Sequence, residues 1–206
     1  MIKIKICGIT NAEDALGAVE LGADALGFIF HPPSRRHVIP EKAKGIIDQL
    51  PPFVFKIGVF VDEEPETILK AVNECRLDGI QLHGRESPEF CAKFRRRVIK
   101  GLRPQLEEEV AKIADYRVDA ILLDSYHPDM MGGIGTTFDW ELAVAAKMFG
   151  MPVILSGGLN PENVAEAVRL VKPYGIDVAS GVETFQGKKD LDKVRDFIEQ
   201  ARWASD

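Results

Sequence analysis

The chain has 206 residues, 46% hydrophobic and 28% charged, with a formal net charge of -6; this suits a soluble fold with one sizeable core and excludes collagen-like and disordered classes. No basic run exceeds Arg95-Arg96-Arg97, so a nucleic-acid footprint is absent, and no apolar run approaches the ~18 residues that cross a bilayer. Three cysteines, Cys7, Cys75 and Cys91, without a Cys-x-x-Cys pair argue against a disulfide framework and a zinc site. The N-terminus alternates Ile with Lys, unlike a signal peptide, and the expectation is a cytoplasmic protein.

Ile2, Ile4 and Ile6 alternate with Lys3 and Lys5 and predict a first strand that delivers Cys7 to its tip. Gly8 then permits a turn, and Asn11 is suited to cap a helix whose apolar stripe is Ala12, Ala15, Leu16 and Val19, stopped by Gly22. A second strand follows at 25–30, then a helix from Glu41 to Leu50 and a strand from Phe55 to Val61. The stripe Pro65, Ile68, Leu69 and Val72 predicts a helix from Pro65 to Cys75, where Cys75 is a small buried hydrophobe. Strand Gly79 to His83 leads to a helix capped by Ser87 with Pro88 in its first turn and Cys91 on its buried side. Strand Val98 to Gly101 precedes helix Leu106 to Ala114, and strand Ala120 to Asp124 precedes a Gly-rich loop and helix Trp140 to Phe149. Strand Pro152 to Ser156 is followed by the cap and first-turn pair Asn160-Pro161 and a helical face of Val164, Ala167, Val168 and Val171. Strand Gly175 to Ala179 and helix Leu191 to Ala204 end the chain.

Strict alternation of strand and helix demands a parallel sheet, and eight repeats close one into a single (β/α)8 barrel spanning 1–206. An open doubly wound sheet is the competing arrangement. Two features favour closure. A weak echo recurs at alternate strands: Gly22-Ala23-Asp24-Ala25-Leu26, Leu77-Asp78-Gly79-Ile80, Val118-Asp119-Ala120-Ile121 and Gly175-Ile176-Asp177-Val178. The dinucleotide fingerprint of open sheets is also missing after the first strand.

Barrel chemistry sits at the carboxyl ends of the strands. Those ends present Cys7, His31, Asp62, Gln81 with His83, Arg103, Asp124, Ser156 with Gly157 and Gly158, and Ser180 with Gly181. The turns at Gly157-Gly158 and Ser180-Gly181 follow strands seven and eight, where barrels hold a phosphate on backbone amides. The expected ligand is therefore a small phosphorylated molecule. Desolvation and a nearby phosphate would raise the pKa of Asp124, and amides or a cation would lower that of Cys7, the pattern of a proton-shuffling isomerase. Arg36 suits a substrate carboxylate, with Arg35 exposed beside it, and Gln81 and His83 can orient a ring or hydroxyls. His37 and His127 read as surface residues, and the loop from Gly132 to Phe138 reads as a flexible cover for the site.

These residues carry a full-length resemblance. Lys5 to Asn11, Ser34-Arg35-Arg36, Gly58 to Val61, Gln81 to Gly84, Leu122-Leu123-Asp124, Thr137 to Trp140, Leu155 to Val164 and Asp177 to Glu183 together resemble the phosphoribosylanthranilate isomerase family. The resemblance implies a TIM barrel and a cofactor-free Amadori rearrangement in tryptophan biosynthesis. It implies Asp124 as general acid, Cys7 as general base, Arg36 as the holder of the anthranilate carboxylate and the two glycine-bearing turns as the phosphate cradle. Asp177 matches a residue near the substrate. The family usually has a hydroxyl and a basic residue where Ile134 and Thr136 stand, and often Tyr where His37 stands. Monomer and homodimer both stay open.

A histidine-pathway phosphoribosyl isomerase would carry aspartate at the position of Cys7 and need a second phosphate cradle, which the sequence lacks. A non-catalytic phosphosugar-binding barrel would need the glycine turns but has no use for Cys7 and Asp124 together.

Overall fold

A computed structural model describes residues 1–124 and 140–205. The strands β1 (Lys3–Cys7), β2 (Ala25–Ile29), β3 (Phe55–Phe60), β4 (Gly79–Leu82), β5 (Arg97–Leu102), β6 (Ala120–Asp124), β7 (Val153–Ser156) and β8 (Gly175–Val178) form a closed barrel in chain order. Every neighbouring pair is parallel, and β8 returns to β1 with Lys5 opposite Asp177. The intervening helices are α1 (Ala12–Glu20), α2 (Pro40–Ile47), α3 (Pro65–Cys75), α4 (Pro88–Cys91), α5 (Glu107–Val110), α6 (Trp140–Ala146), α7 (Val164–Val171) and α8 (Leu191–Ser205).

Local signals act as expected at several boundaries. Asn11 accepts the amide of Asp14 at 2.9 Å, and Ser87 accepts that of Phe90 at 3.2 Å. Elsewhere the structure differs. The helix expected from Leu106 is the short α5 followed by a 3-10 segment, Ala111–Asp115; only Val110 and Ile113 are buried there, too narrow a stripe for a longer helix. The helix expected at Pro161 begins at Val164, because Asn160 spends its side-chain oxygen on the amides of Glu162 and Asn163 and closes a separate turn. A hairpin not foreseen from the sequence, β9 (Glu183–Phe185) with β10 (Lys188–Lys189), lies between β8 and α8.

Strand residues alternate between two buried environments. Ile4, Ile6, Ile80, Ile121 and Leu123 join the large core between sheet and helices, whereas Ile57, Ile99, Ala120, Leu122 and Ile154 form a smaller cluster inside the barrel. Both faces of each strand therefore leave water. At the amino-terminal rim, the echoed aspartates tie strands in pairs: Asp24 accepts the Ile4 amide at 3.0 Å, Asp78 that of Lys56 at 2.9 Å and Asp119 that of Val98 at 2.8 Å. The fourth member, Asp177, lies within its strand and takes a different partner.

Below the carboxyl-terminal rim, Lys100 is 1% exposed and donates to Glu86 at 2.7 Å and to the Gly84 carbonyl at 2.8 Å. Glu86 accepts the amides of Asp62 at 3.0 Å and Gly84 at 2.9 Å, so this buried pair pins the loops after β3 and β4. Breaking a buried pair leaves one uncompensated charge, at a cost of about 3–5 kcal/mol. Lys100→Met is expected to lose stability of that order in urea unfolding, with Lys100→Met/Glu86→Gln recovering part of it; a single variant as stable as the parent refutes the role.

Candidate functional site

Two polar clusters occupy opposite sides of the barrel mouth. The first is built on β4, β5 and β6. Asp124 Oδ2 lies 3.0 Å from His83 Nε2 and 3.1 Å from Arg103 Nε. Gln81, 2% exposed, donates from Nε2 to His83 Nδ1 at 3.1 Å. With Nδ1 accepting, the ring proton sits on Nε2 and points at the carboxylate. Gly101 makes room for the ring, since a Cβ there would lie 2.3 Å from Nδ1. Burial acts to raise the Asp124 pKa, but the His83 hydrogen bond and the charge and hydrogen bond of Arg103 outweigh it and hold the carboxyl below its ordinary value.

The second cluster is built on β1, β8, the loop after β2 and the β9–β10 hairpin. Cys7 is 5% exposed at the tip of β1. Lys5, one inward position below, donates to Asp177 Oδ1 at 2.9 Å, and its ammonium and the Cys7 sulfur both border Gly27, where a Cβ would come within 3.1 Å of one and 2.7 Å of the other. Ser156 donates to the other Asp177 oxygen at 3.3 Å. Burial pushes the Cys7 thiol above its ordinary value despite the pull of Lys5. Arg36 faces a buried carboxylate through a fork: Nε to Glu183 Oε1 at 2.7 Å and an Nη to Oε2 at 2.6 Å. Lys189, 2% exposed, donates to Glu183 at 2.9 Å and to the Ala179 carbonyl at 2.9 Å. Burial opposes ionisation of Glu183, yet Arg36 and Lys189 hold its carboxyl below its usual range. Gly8, at φ 76°, lies under the Arg36 stem, where a Cβ would meet Cδ at 2.4 Å.

The turns after β7 and β8 complete the mouth. Gly157 and Gly158 have φ of 82° and 65°, which favour glycine. Ser180–Val182 forms a 3-10 turn, and Gly181 packs so closely that a Cβ would lie 1.9 Å from the Leu159 carbonyl oxygen. The two turns are therefore locked against each other.

The structure thus gathers Cys7, Arg36, Asp177, Asp124 and the two glycine turns around one opening. It brings Gln81 and His83 there as a chain beneath Asp124, with Gln81 buried behind His83. The two pKa directions expected from sequence are reversed: Asp124 is lowered because it meets Arg103 and His83, and Cys7 is raised because it is desolvated. His37 is half-buried and bridges to Ile29, whereas Arg35 is exposed and bonds Gln186. Cys75 and Cys91 are buried thiols pushed up to about 11 by desolvation. The loop from Gly132 to Phe138, and His127, lie outside the described residues. Sequence reasoning missed Lys5, Glu183 and Lys189 as parts of the site. One signal was available: an arginine drawn partly into the barrel mouth needs a counter-carboxylate.

Comparison with known proteins finds the same arrangement of chain. The family model described as N-(5'-phosphoribosyl)anthranilate (PRA) isomerase matches residues 4–200. An N-(5'-phosphoribosyl)anthranilate isomerase of Geobacter sulfurreducens is 55% identical over 202 residues, covering 98% of this chain and 99% of its own. The crystal structure of phosphoribosyl anthranilate isomerase from Thermotoga maritima superposes with a TM-score of 0.93 at 49% identity, covering 98% of this chain and all (100%) of its own. A phosphoribosyl anthranilate isomerase in complex with reduced 1-(o-carboxyphenylamino)-1-deoxyribulose 5-phosphate gives 0.90 at 47% identity, with coverage of 98% and 100%. Among the described residues, no helix is long and apolar enough to cross a membrane.

The locked turns predict a specific sensitivity. Gly181→Ala forces them apart, and overpacking of this kind costs about 1–3 kcal/mol. Affinity for inorganic phosphate, measured by calorimetry, is expected to fall about tenfold or more; unchanged affinity would separate these turns from anion binding.

Proposed function

Because the chain belongs to the N-(5'-phosphoribosyl)anthranilate isomerase family, and is an isomerase of tryptophan biosynthesis that performs the Amadori rearrangement, we propose that the two clusters divide the chemistry between them. Asp124, on β6, gives a proton to the ribose ring oxygen. The bond from C1 to that oxygen breaks, and the anthranilate nitrogen becomes part of a Schiff base. Cys7, across the mouth on β1, takes the C2 proton as a thiolate, giving an enolamine that tautomerises to the ketone, 1-(o-carboxyphenylamino)-1-deoxyribulose 5-phosphate. The observation that carries this reading is the pairing of one carboxyl and one thiol on strands β6 and β1, three places apart around the barrel.

Substrate is held from both sides. Arg36, oriented by the Glu183 fork, takes the anthranilate carboxylate, and Gly157, Gly158, Ser180 and Gly181 take the phosphate on their backbone. Asp177 acts beneath the substrate through Lys5, and His83, positioned by Gln81, aims its proton at Asp124. The barrel forms a single domain over 1–206. Every residue given a role belongs to this chain, so the site serves a monomer or a homodimer alike.

The directions of the two pKa shifts have a kinetic consequence. Before substrate binds, the carboxylate at Asp124 and the thiol at Cys7 are favoured, whereas the roles need the acid protonated and the base ionised. The competent form is then a minor one whose fraction stays constant between the two pKa values. Below the Asp124 value Cys7 is protonated without compensation, and above the Cys7 value Asp124 is ionised without compensation. A plot of kcat/KM against pH is therefore expected to be flat, with an acid limb below the ordinary carboxylate value and an alkaline limb above the ordinary thiol value. An alkaline limb below the ordinary thiol value would contradict the assignment.

The direct test is turnover of freshly generated phosphoribosylanthranilate, followed by loss of its fluorescence. Asp124→Asn and Cys7→Ser are each expected to lower kcat by ~10²- to 10⁴-fold with little change in KM. Arg36→Met should raise KM instead. Near-parental turnover in either of the first two variants removes that residue from the mechanism.

A further inference from the structure

We propose that Lys5 is a positioning residue for the base: its ammonium, set between the Cys7 sulfur and the Asp177 carboxylate, supplies the positive charge that lets a thiolate exist in a barrel interior closed to water. The proposal rests on the reading of Cys7 as the base and adds a residue to which that reading gave no part of its own.

The geometry is specific. The Lys5 side chain is 4% exposed and that of Asp177 6%, so neither charge is held there by water. An ammonium has three donors; one goes to Asp177 Oδ1 at 2.9 Å, which leaves two that can face the neighbouring Cys7 sulfur. The room for this comes from β2. Gly27 stands opposite Cys7 in register, and a Cβ there would lie 2.7 Å from the Cys7 sulfur and 3.1 Å from Lys5 Nζ. Any side chain at 27 would drive the ammonium and the sulfur out of place. Asp177 is itself fixed by Ser156, so the lysine is held from below and its charge stays at the sulfur.

Among the described residues, the remaining charges near Cys7 sort cleanly by element. Lys5 comes from its own strand, Asp177 from β8 and Lys189 from β10, while Gly27 on β2 brings none. Lys189 shares its charge with Glu183, which also serves Arg36. Of the two cations, Lys5 acts more strongly on the thiol, and burial alone would hold the sulfur protonated. The sign for each neighbour follows. Losing Lys5 raises the thiol further, and losing Asp177 lowers it, because a negative charge goes while Lys5 stays.

The test reads the sulfur directly. Thiolate absorbance is titrated against pH in the parent, in Lys5→Met and in Asp177→Asn, each referenced to Cys7→Ser so that Cys75 and Cys91 cancel. Lys5→Met is expected to move the Cys7 transition up by about one unit or more. In the same variant kcat/KM falls about tenfold per unit, its alkaline limb rises by the same interval, and KM changes little. Asp177→Asn is expected to move the transition down, and it decides the matter if Lys5→Met does not fold. A lesion that merely loosened packing would not shift the two variants in opposite directions. If Cys7→Ser is inactive but neither variant moves the transition, Lys5 has no such role and the base assignment stands. Full turnover in Cys7→Ser overturns the base assignment and this proposal with it.

Discussion

A sheet closed on itself has an inside that water cannot fill, so each charge placed there must meet its opposite within the protein. Lys5 and Asp177 obey that rule across the β1–β8 seam. Their pairing depends on vacancies elsewhere: Gly27 clears the space beside Lys5, and Gly101 clears the space for His83 on the other side. The site is thereby set by small residues as much as by reactive ones. Between the clusters, Ile57, Ile99, Ala120, Leu122 and Ile154 fill the floor and keep the charges at the mouth.

Separation of the two clusters gives each reactive group its own electrostatic setting. Asp124 answers to Arg103 and to a His83 ring whose proton position is set by Gln81. Cys7 answers to Lys5, Asp177 and Lys189. Because these surroundings share no strand, either can be tuned without disturbing the other. The price is that ligand-free protonation runs against the roles, and the anionic substrate must supply part of the correction by favouring a protonated Asp124.

Most of the architecture was legible because its signals are local. Alternating Ile at 2, 4 and 6, the caps at Asn11 and Ser87, and the β-branched runs at the other strands each report the chain within a few residues of themselves. The β9–β10 hairpin was not legible, since Glu183 to Lys189 has no apolar alternation and is held by contacts to distant loops, such as Thr10 to the Gly187 carbonyl at 2.5 Å. The strand ends exposed Cys7, Asp124 and the glycine turns, but not the ion pairs that govern them. Lys5 stands in the polar half of an Ile-Lys alternation, and only a sheet covered on both faces turns that position inward. The reversed pKa directions were hidden for the same reason, because partners such as Arg103 and Lys189 come from other strands and turns.

The aspartates at the amino-terminal rim have a different bearing. Each joins an odd strand to the even strand that follows it: Asp24 to Ile4, Asp78 to Lys56, Asp119 to Val98. None of these carboxylates reaches across the connection from β2 to β3, which runs from 30 to 54, or across that from β4 to β5. The first six strands are therefore three modules, each stitched within itself. New chain ends placed between modules would leave every stitch in one piece, whereas ends placed inside a module would part a carboxylate from its amide. In that sense the barrel has preferred seams for rearranging the order of its own chain.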